Sequence, residues 1–197
     1  MPQDTSPGLR KGTFLVALGS NATSHAGGPV DTVNAALSSL DRGPITLVAR
    51  SRLFQSPFVP AGAEPDVVNA VALCESHLAA DAVLSCLHAI EADFDRQRAL
   101  RWTNRTLDLD LLTMDQKILP DQPTLREWVE MPFEAQRKSA PETLVLPHPR
   151  MQDRAFVLVP AADVAPDWHH PLLGKTIRDM LADLPPDEVA VVQPLSP

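Results

Sequence analysis

Two aspartates separated by one leucine, Asp108 and Asp110, stand in the run Arg101-Trp-Thr-Asn-Arg-Thr-Leu-Asp-Leu-Asp-Leu-Leu112. On a β-strand, side chains alternate between faces, so Asp108 and Asp110 share one face while Leu107, Leu109 and Leu111 share the other. Two residues of strand rise separate the aspartate Cα atoms by about 6.5–7 Å. That spacing lets the carboxylates converge on a pair of hard cations about 3.5–4 Å apart, the arrangement of two-metal phosphoryl chemistry. All-oxygen ligation suits Mg²⁺, which keeps waters and completes its shell with substrate phosphates. Acid–apolar alternation alone is also the ordinary pattern of a solvated strand face. The neighbours argue for more: Arg96, Arg98, Arg101 and Arg105 fall in ten residues that contain no acid. Guanidinium groups beside paired carboxylates suit a polyphosphate held by metal and arginine together. The plainer alternative is a set of exposed Arg–Asp pairs, each worth little. Trp102, amid the arginines, would either stack on a flat ring or anchor the loop.

These residues need elements to position them. Thr13–Leu18 is an apolar run of strand length, ended by Gly19-Ser20-Asn21. From Pro29, Val30, Val33, Leu37 and Leu40 recur at helical spacing until Gly43-Pro44. Ile45–Gln55 alternates in part and reads as a strand, and Ser56–Pro65, with three prolines and a glycine, reads as a loop. Asp66–Ser76 is a Val-rich strand. Ala79–Arg98 is the longest helical pattern, with Val83, Leu87, Ile90 and Phe94 on one face. Arg105–Thr113 is the strand that carries the aspartates. Asp121–Glu142 reads as a surface insertion with a helical stretch around Leu125–Val129. A Pro-rich joint at Leu146–Pro149 precedes Met151–Val159, and Thr176–Leu184 offers a late helix. The order β-α-β-β-α-β predicts an α+β fold of ferredoxin-like type: a mainly antiparallel sheet with helices, plus extra C-terminal helices and the insertion. Expected boundaries are a tail at 1–12, one domain at 13–185 and a tail at 186–197.

Composition narrows the function classes. The chain has 197 residues and a formal net charge of −8, which argues against a protein that coats nucleic acid through bulk charge. The −8 is an average of unlike parts: positions 96–105 carry four arginines and no acid, against 13 basic and 25 acidic residues elsewhere. Apolar residues reach 44%, enough for a core. No run approaches the roughly 18 apolar residues of a membrane span, and positions 1–12 hold no apolar stretch of the secretory type. Two cysteines, Cys74 and Cys86, make neither a disulfide framework nor a metal-finger spacing, so a reducing, cytoplasmic setting is expected. Gly174-Lys175-Thr176 resembles the end of a phosphate-binding loop, but His169 stands where its first glycine belongs. His169-His170 has no partner cluster and reads as a loop pair. There are 20 prolines and no tyrosine.

Several ordered segments together resemble the 6-hydroxymethyl-7,8-dihydropterin pyrophosphokinases of folate biosynthesis. They are Leu18-Gly-Ser-Asn21, Glu64-Pro-Asp-Val-Val-Asn-Ala-Val71, His88-Ala-Ile-Glu91, Arg96-Gln-Arg98, Arg101-Trp102, Arg105-Thr-Leu-Asp-Leu-Asp110, Leu146-Pro-His-Pro-Arg-Met151, Asp153-Arg-Ala-Phe-Val-Leu158 and Asp163-Val-Ala-Pro166. The match runs from about residue 13 to about residue 173. The resemblance implies transfer of the terminal two phosphates of ATP, as one unit, to the hydroxymethyl group of the pterin, giving AMP and the pterin diphosphate. It implies two Mg²⁺ ions at Asp108 and Asp110, with Arg96, Arg98 and Arg105 as further catalytic positions. Glu91, Arg98, Arg101, Trp102, Arg105, His148 and Arg154 would contact ATP. Ser56, Pro57, Val59, Val67, Asn69, Asp108 and Phe156 would form the pterin slot, with Asn69 on the pterin edge and Phe156 as an aromatic wall. Small-molecule substrates, no nucleic acid, no membrane, and a monomer or weak dimer follow as expectations.

Three departures from the family pattern stand out. Val67 replaces the stacking aromatic common two residues before the asparagine, Thr103-Asn104 replaces Gly-Pro or Gly-Ala, and Asp95 stands where a glycine often precedes Arg96. Two other readings compete. A ferredoxin-like nucleic-acid-binding module would use the arginine stripe with Trp102, but Asp108 and Asp110 on the same strand would repel phosphate unless metal lies between. A catalytically weakened relative kept for partner binding would explain Val67 and Asp95, yet both aspartates and the arginines remain.

Overall fold

The computed structural model describes residues 11–58, 64–94, 106–136 and 139–196. Strand β1 (Gly12–Ser20) carries the apolar run Thr13–Leu18 through the centre of the sheet. It pairs antiparallel with β4 (Val67–Ser76) on one side and β5 (Asp108–Met114) on the other. Beyond β4 lie β2 (Ile45–Arg50) and β3 (Phe54–Ser56), both antiparallel to it. The main path through the sheet is β5-β1-β4-β3-β6, with β6 at Gln193–Pro194.

The single strand expected over Ile45–Gln55 is two strands, β2 and β3. The break has a specific cause, a contact between Ser51 and Val71 of β4. Ser51 Oγ accepts the Val71 N–H at 3.0 Å, while the Ser51 N–H donates to the Val71 carbonyl at 2.9 Å. A side chain thus takes the acceptor role of a backbone carbonyl, and the chain turns out of the ladder. Arg52 then binds Asp163 with both Nε and Nη2 at 2.9 Å.

Helix α1 (Pro29–Leu40) starts where Pro29 needs no N–H partner and where the Asp31 carboxylate accepts the Gly28 N–H. Its buried residues Val33, Ala36, Leu37 and Leu40 lie at helical spacing. Helix α2 (Ala80–Asp93) buries Val83, Leu87 and Glu91, four residues apart each time. Both helices pack on the sheet face formed by Phe14, Val16, Leu18, Val68, Ala70, Ala72, Leu107, Leu109 and Leu111. The period of two predicted around the aspartates is therefore observed: Leu107, Leu109 and Leu111 face α1 and α2, while Asp108 and Asp110 face the other way, on the side that Leu112 also packs against.

The opposite sheet face is covered by the C-terminal part. A 3-10 turn at Met151–Asp153 leads into α5 (Ala155–Val164), and α6 (Ile177–Asp183) packs beside it. Leu15, Val71 and Leu112 meet Met151, Val157, Leu158, Ala161, Ile177 and Met180 there. The sheet is thus sandwiched between two helical layers. Helix α6 is closed at its start by Thr176 and Asp179, whose side chains each accept the other's backbone N–H.

The segment 121–142 contains α3 (Gln122–Glu130) and α4 (Phe133–Gln136). Residues from 186, expected to be a tail, contain α7 (Pro186–Ala190) and then β6, which pairs with β3. Pro194 offers no N–H to a ladder, which suits it to the short strand at the end of that sheet path. Among the described residues, no helix is long and apolar enough to cross a membrane.

Candidate active site

The open side of β5 is the key to the site. As the terminal strand of the sheet path, β5 exposes backbone groups that need partners. The buried Glu91 side chain reaches from α2 and accepts the Leu109 N–H through Oε1 at 2.9 Å. The His148 N–H donates to the Leu112 carbonyl at 2.7 Å. These contacts hold α2 and the Leu146–Pro149 segment at either end of β5, and a cleft of about 270 Å³ opens between them. Glu91, Asp108, Asp110 and His148 all line it, together with His88 and the apolar side chains of Leu84, Leu144 and Val145.

Asp108 and Asp110 share the face of the sheet that meets α5. Arg154, the residue before α5, is close enough to this pair for its charge to interact with both carboxylates. Burial pushes its guanidinium pKa down, and the Asp110 charge gives the largest opposing pull. Its Cζ also sits 5.7 Å from the centre of the Phe156 ring, a cation–π distance. Arg154 therefore bridges the acidic pair and the aromatic residue.

His148 is enclosed by protein but keeps part of its surface in the cleft. Burial, reinforced by the Arg154 charge, lowers its pKa to about 3, against the smaller opposing pull of Asp108. It is neutral at physiological pH. Its Nδ1 accepts the Arg150 N–H at 3.1 Å, so the ring proton belongs on Nε2. The neutral ring thereby has a donor for the cleft it lines.

The second group of expected residues lies on the same sheet face, further across. Asp108 is opposite Gly19 in the β5–β1 ladder, and Gly19 is opposite Asn69 in the β1–β4 ladder. A Cβ at Gly19 would lie 3.6 Å from Val67 Cγ1 and 3.9 Å from Asn69 Oδ1. Without one, the row between Asp108 and Asn69 stays open. Asn69 Nδ2 donates to Ser56 Oγ and to the Val67 carbonyl, both at 3.0 Å. Ser56 is thus a buried support for Asn69, and Pro57 follows it at the surface. Phe156 packs partly buried between the Leu15–Val71–Leu112 cluster and the one around Phe54.

The structure therefore gathers Glu91, Asp108, Asp110, His148 and Arg154 at one end, and Ser56, Val67, Asn69 and Phe156 beside it. Arg96, Arg98, Arg101, Trp102, Arg105 and Val59 lie outside the described residues. Sequence reasoning missed Leu84 and His88 as cleft residues; their spacing to Glu91 on one helical face was the available signal. It also gave no role to Ser20, whose Oγ donates to the Thr106 carbonyl.

A model of the family described as 7,8-dihydro-6-hydroxymethylpterin-pyrophosphokinase (HPPK) matches residues 15–166, a span that contains every one of the grouped residues. The chain belongs to this family. Among curated HPPK relatives, a 2-amino-4-hydroxy-6-hydroxymethyldihydropteridine pyrophosphokinase of Pseudomonas aeruginosa is 41% identical over 172 residues, covering 86% of this chain and 90% of the relative. A protein of the same name from Haemophilus influenzae is 34% identical over 156 residues, covering 79% and 82%. Solved HPPK-DHPS structures share the fold. One in complex with substrates superposes with a TM-score of 0.63 at 10% identity, over 87% of this chain and 43% of that chain. A Plasmodium falciparum HPPK-DHPS triple mutant gives 0.61 at 13% identity, over 90% and 45%. This HPPK chain spans less than half the length of those two-part chains.

Proposed function

We propose that the cleft and the adjoining sheet face form one active site, which transfers the pyrophosphoryl group of ATP to the hydroxymethyl of 6-hydroxymethyl-7,8-dihydropterin. The products are AMP and the pterin diphosphate, in folate biosynthesis. The observation that carries this reading is the row Asp108–Gly19–Asn69. It places paired carboxylates beside a buried amide, on one continuous face that Arg154 and Phe156 adjoin. The fold beneath it reads as the ferredoxin-like βαββαβ arrangement, with 121–142 an insertion.

The cleft beside β5 suits the nucleotide: Leu84, Leu144 and Val145 offer apolar walls to a flat base, and His148 offers an Nε2 donor to phosphate oxygen. Asn69, held by Ser56, suits the polar edge of a pterin, and Phe156 its face. Asp108 stands between the two regions, where the phosphate chain and the hydroxymethyl group would meet. Two carboxylates on one strand face are a donor set that fits Mg²⁺ in the presence of a polyphosphate, since substrate and water complete the shell. When bound there, magnesium neutralises phosphate charge and acidifies the attacking hydroxyl.

In-line transfer between oxygens asks the protein chiefly for alignment and charge neutralisation. Arg154 supplies positive charge in a partly dry setting, where it acts more strongly than in water. Arg96, Arg98, Arg101 and Arg105 would add to it, and Trp102 would close over the nucleotide and exclude water. Pro57, Val59 and Val67 would line the pterin side. The chain would act as a monomer or weak dimer in the cytoplasm.

The test is product analysis with ATP, Mg²⁺ and 6-hydroxymethyl-7,8-dihydropterin. AMP is expected in step with consumed pterin. Formation of ADP in its place, or no reaction, overturns the proposal.

A further inference from the structure

The arm made by α3 and α4 leaves the body at Leu119 and returns at Leu146. These residues exchange backbone hydrogen bonds, Leu119 N to Leu146 O at 2.9 Å and Leu146 N to Leu119 O at 3.0 Å. A further attachment is at Gln136, the last residue of α4. Its Nε2 donates to the Trp128 and Met131 carbonyls, at 2.6 and 3.0 Å, which closes the C-terminal end of α3. Its Oε1 accepts from Arg150 Nη1 at 3.1 Å. Arg150 Nε donates on another side to Asp153 Oδ2 at 2.7 Å. The guanidinium is thus gripped between the arm and the turn before α5.

Arg150 also reaches the cleft by its backbone. Its N–H donates to His148 Nδ1, and this contact decides which nitrogen of the neutral ring bears the proton. A polar chain therefore runs from Gln136 through Arg150 to His148, at the wall that His148 shares with Asp108 and Asp110. A ring whose outer nitrogen is engaged by a fixed partner is an oriented donor; a ring whose partner moves is a poorer one.

We propose that Gln136 is a positioning residue for the nucleotide. By holding the Arg150 guanidinium, it fixes the backbone N–H that occupies His148 Nδ1 and so presents Nε2–H as the donor to phosphate. The arm thereby serves as a brace for the site. The inference rests on the reading of the cleft as the nucleotide site.

Two substitutions separate this role from simple support of α3. Gln136→Met removes both the acceptor for Arg150 and the donor that closes α3. Gln136→Glu loses the same donor but keeps an acceptor for Arg150, so the two variants share the α3 defect and differ at Arg150. Gln136→Met is expected to raise KM for ATP by about 3–10-fold, the scale of one ordinary hydrogen bond, with little change in kcat or in KM for pterin. Gln136→Glu is expected to recover most of that loss. The imidazole ¹⁵N spectrum of His148 should show Nε2–H in the wild type and a mixture of tautomers in Gln136→Met. Equal impairment of both variants, or an unchanged KM for ATP and an unchanged ¹⁵N pattern in Gln136→Met, overturns the proposal. If the wild type formed no AMP, the assigned reaction would fall. Calorimetric binding of a non-hydrolysable ATP analogue, with the ¹⁵N pattern, would still decide the role of Gln136.

Discussion

Ser20 Oγ donates a 2.6 Å hydrogen bond to the carbonyl oxygen of Thr106. Ser20 ends β1, and Thr106 leads into the strand that carries both aspartates. Nearby, Asn21 Nδ2 reaches the Pro65 carbonyl at 3.4 Å, at the entry to β4. The Gly19-Ser20-Asn21 turn therefore ties together the lead-in segments of both neighbouring strands. Ser20→Ala removes the tie to Thr106 without changing the strand pairing. It is expected to cost about 0.5–1.5 kcal/mol in urea denaturation and to lower kcat several-fold, because the start of β5 loses its anchor. A loss of stability with unchanged kcat would reduce Ser20 to a purely structural residue.

Asp108→Asn and Asp110→Asn keep side-chain shape and remove the hard anionic oxygens. Each is expected to lower AMP formation by about 10³-fold or more, given the size of transition-state charge effects in closed sites. Folding should survive, since the alternating leucines Leu107, Leu109 and Leu111 carry the packing of this strand against the helices. Circular dichroism melts near the wild-type temperature, with activity lost, would agree. Full activity in either variant, or activity that persists in excess chelator, would remove the metal assignment.

Much of this was legible because it is local. The alternation around Asp108 and Asp110, the helical spacing of Val83 and Leu87, and the Pro29 start of α1 all depend on neighbours in sequence. What was not legible depends on distant partners. The break after β2 needs Ser51 to meet Val71, and β6 needs the chain end to find β3. Glu91, expected at the nucleotide, also caps a strand edge through Leu109. Gln136 has no motif around it, and only the folded arm brings it to Arg150. Helix α5 shows no amphipathic stripe because it is buried by the sheet on one side and by α6 and α7 on others.

Val67 offers a direct test of the pterin slot. It occupies the same sheet face as Asn69 and Val71, and its Cγ1 is the nearest atom to the space left by Gly19. An aromatic ring there would add stacking worth about 0.5–1.5 kcal/mol beyond burial. Val67→Tyr is expected to tighten pterin binding about 2–10-fold in calorimetry. Unchanged or weaker binding would place residue 67 away from the ring.

His170 gives the fold a pH dependence independent of the active site. It is fully buried, and burial lowers its pKa from 6.5 to about 4. Its Nδ1 accepts the N–H groups of Leu172 and Leu173, both at 3.2 Å, and its ring meets Trp168 edge-on at 5.8 Å. The unfolded chain thus takes up a proton near pH 6.5 that the folded chain refuses until about pH 4. The stabilisation is complete above 6.5 and is lost as pH falls toward 4, at about 1.4 kcal/mol per pH unit. His148 acts in the same direction, so the wild-type slope should exceed one proton. The aspartates with lowered values, Asp121, Asp163 and Asp179, act only near and below their ordinary 3.8 and leave this window clear. His170→Asn keeps an acceptor for the two N–H groups and cannot titrate. Urea midpoints measured between pH 4.5 and 7.5 on the ligand-free protein should lose close to one proton of slope in this variant. Identical slopes in the two proteins would show that His170 titrates alike in the folded and unfolded chains.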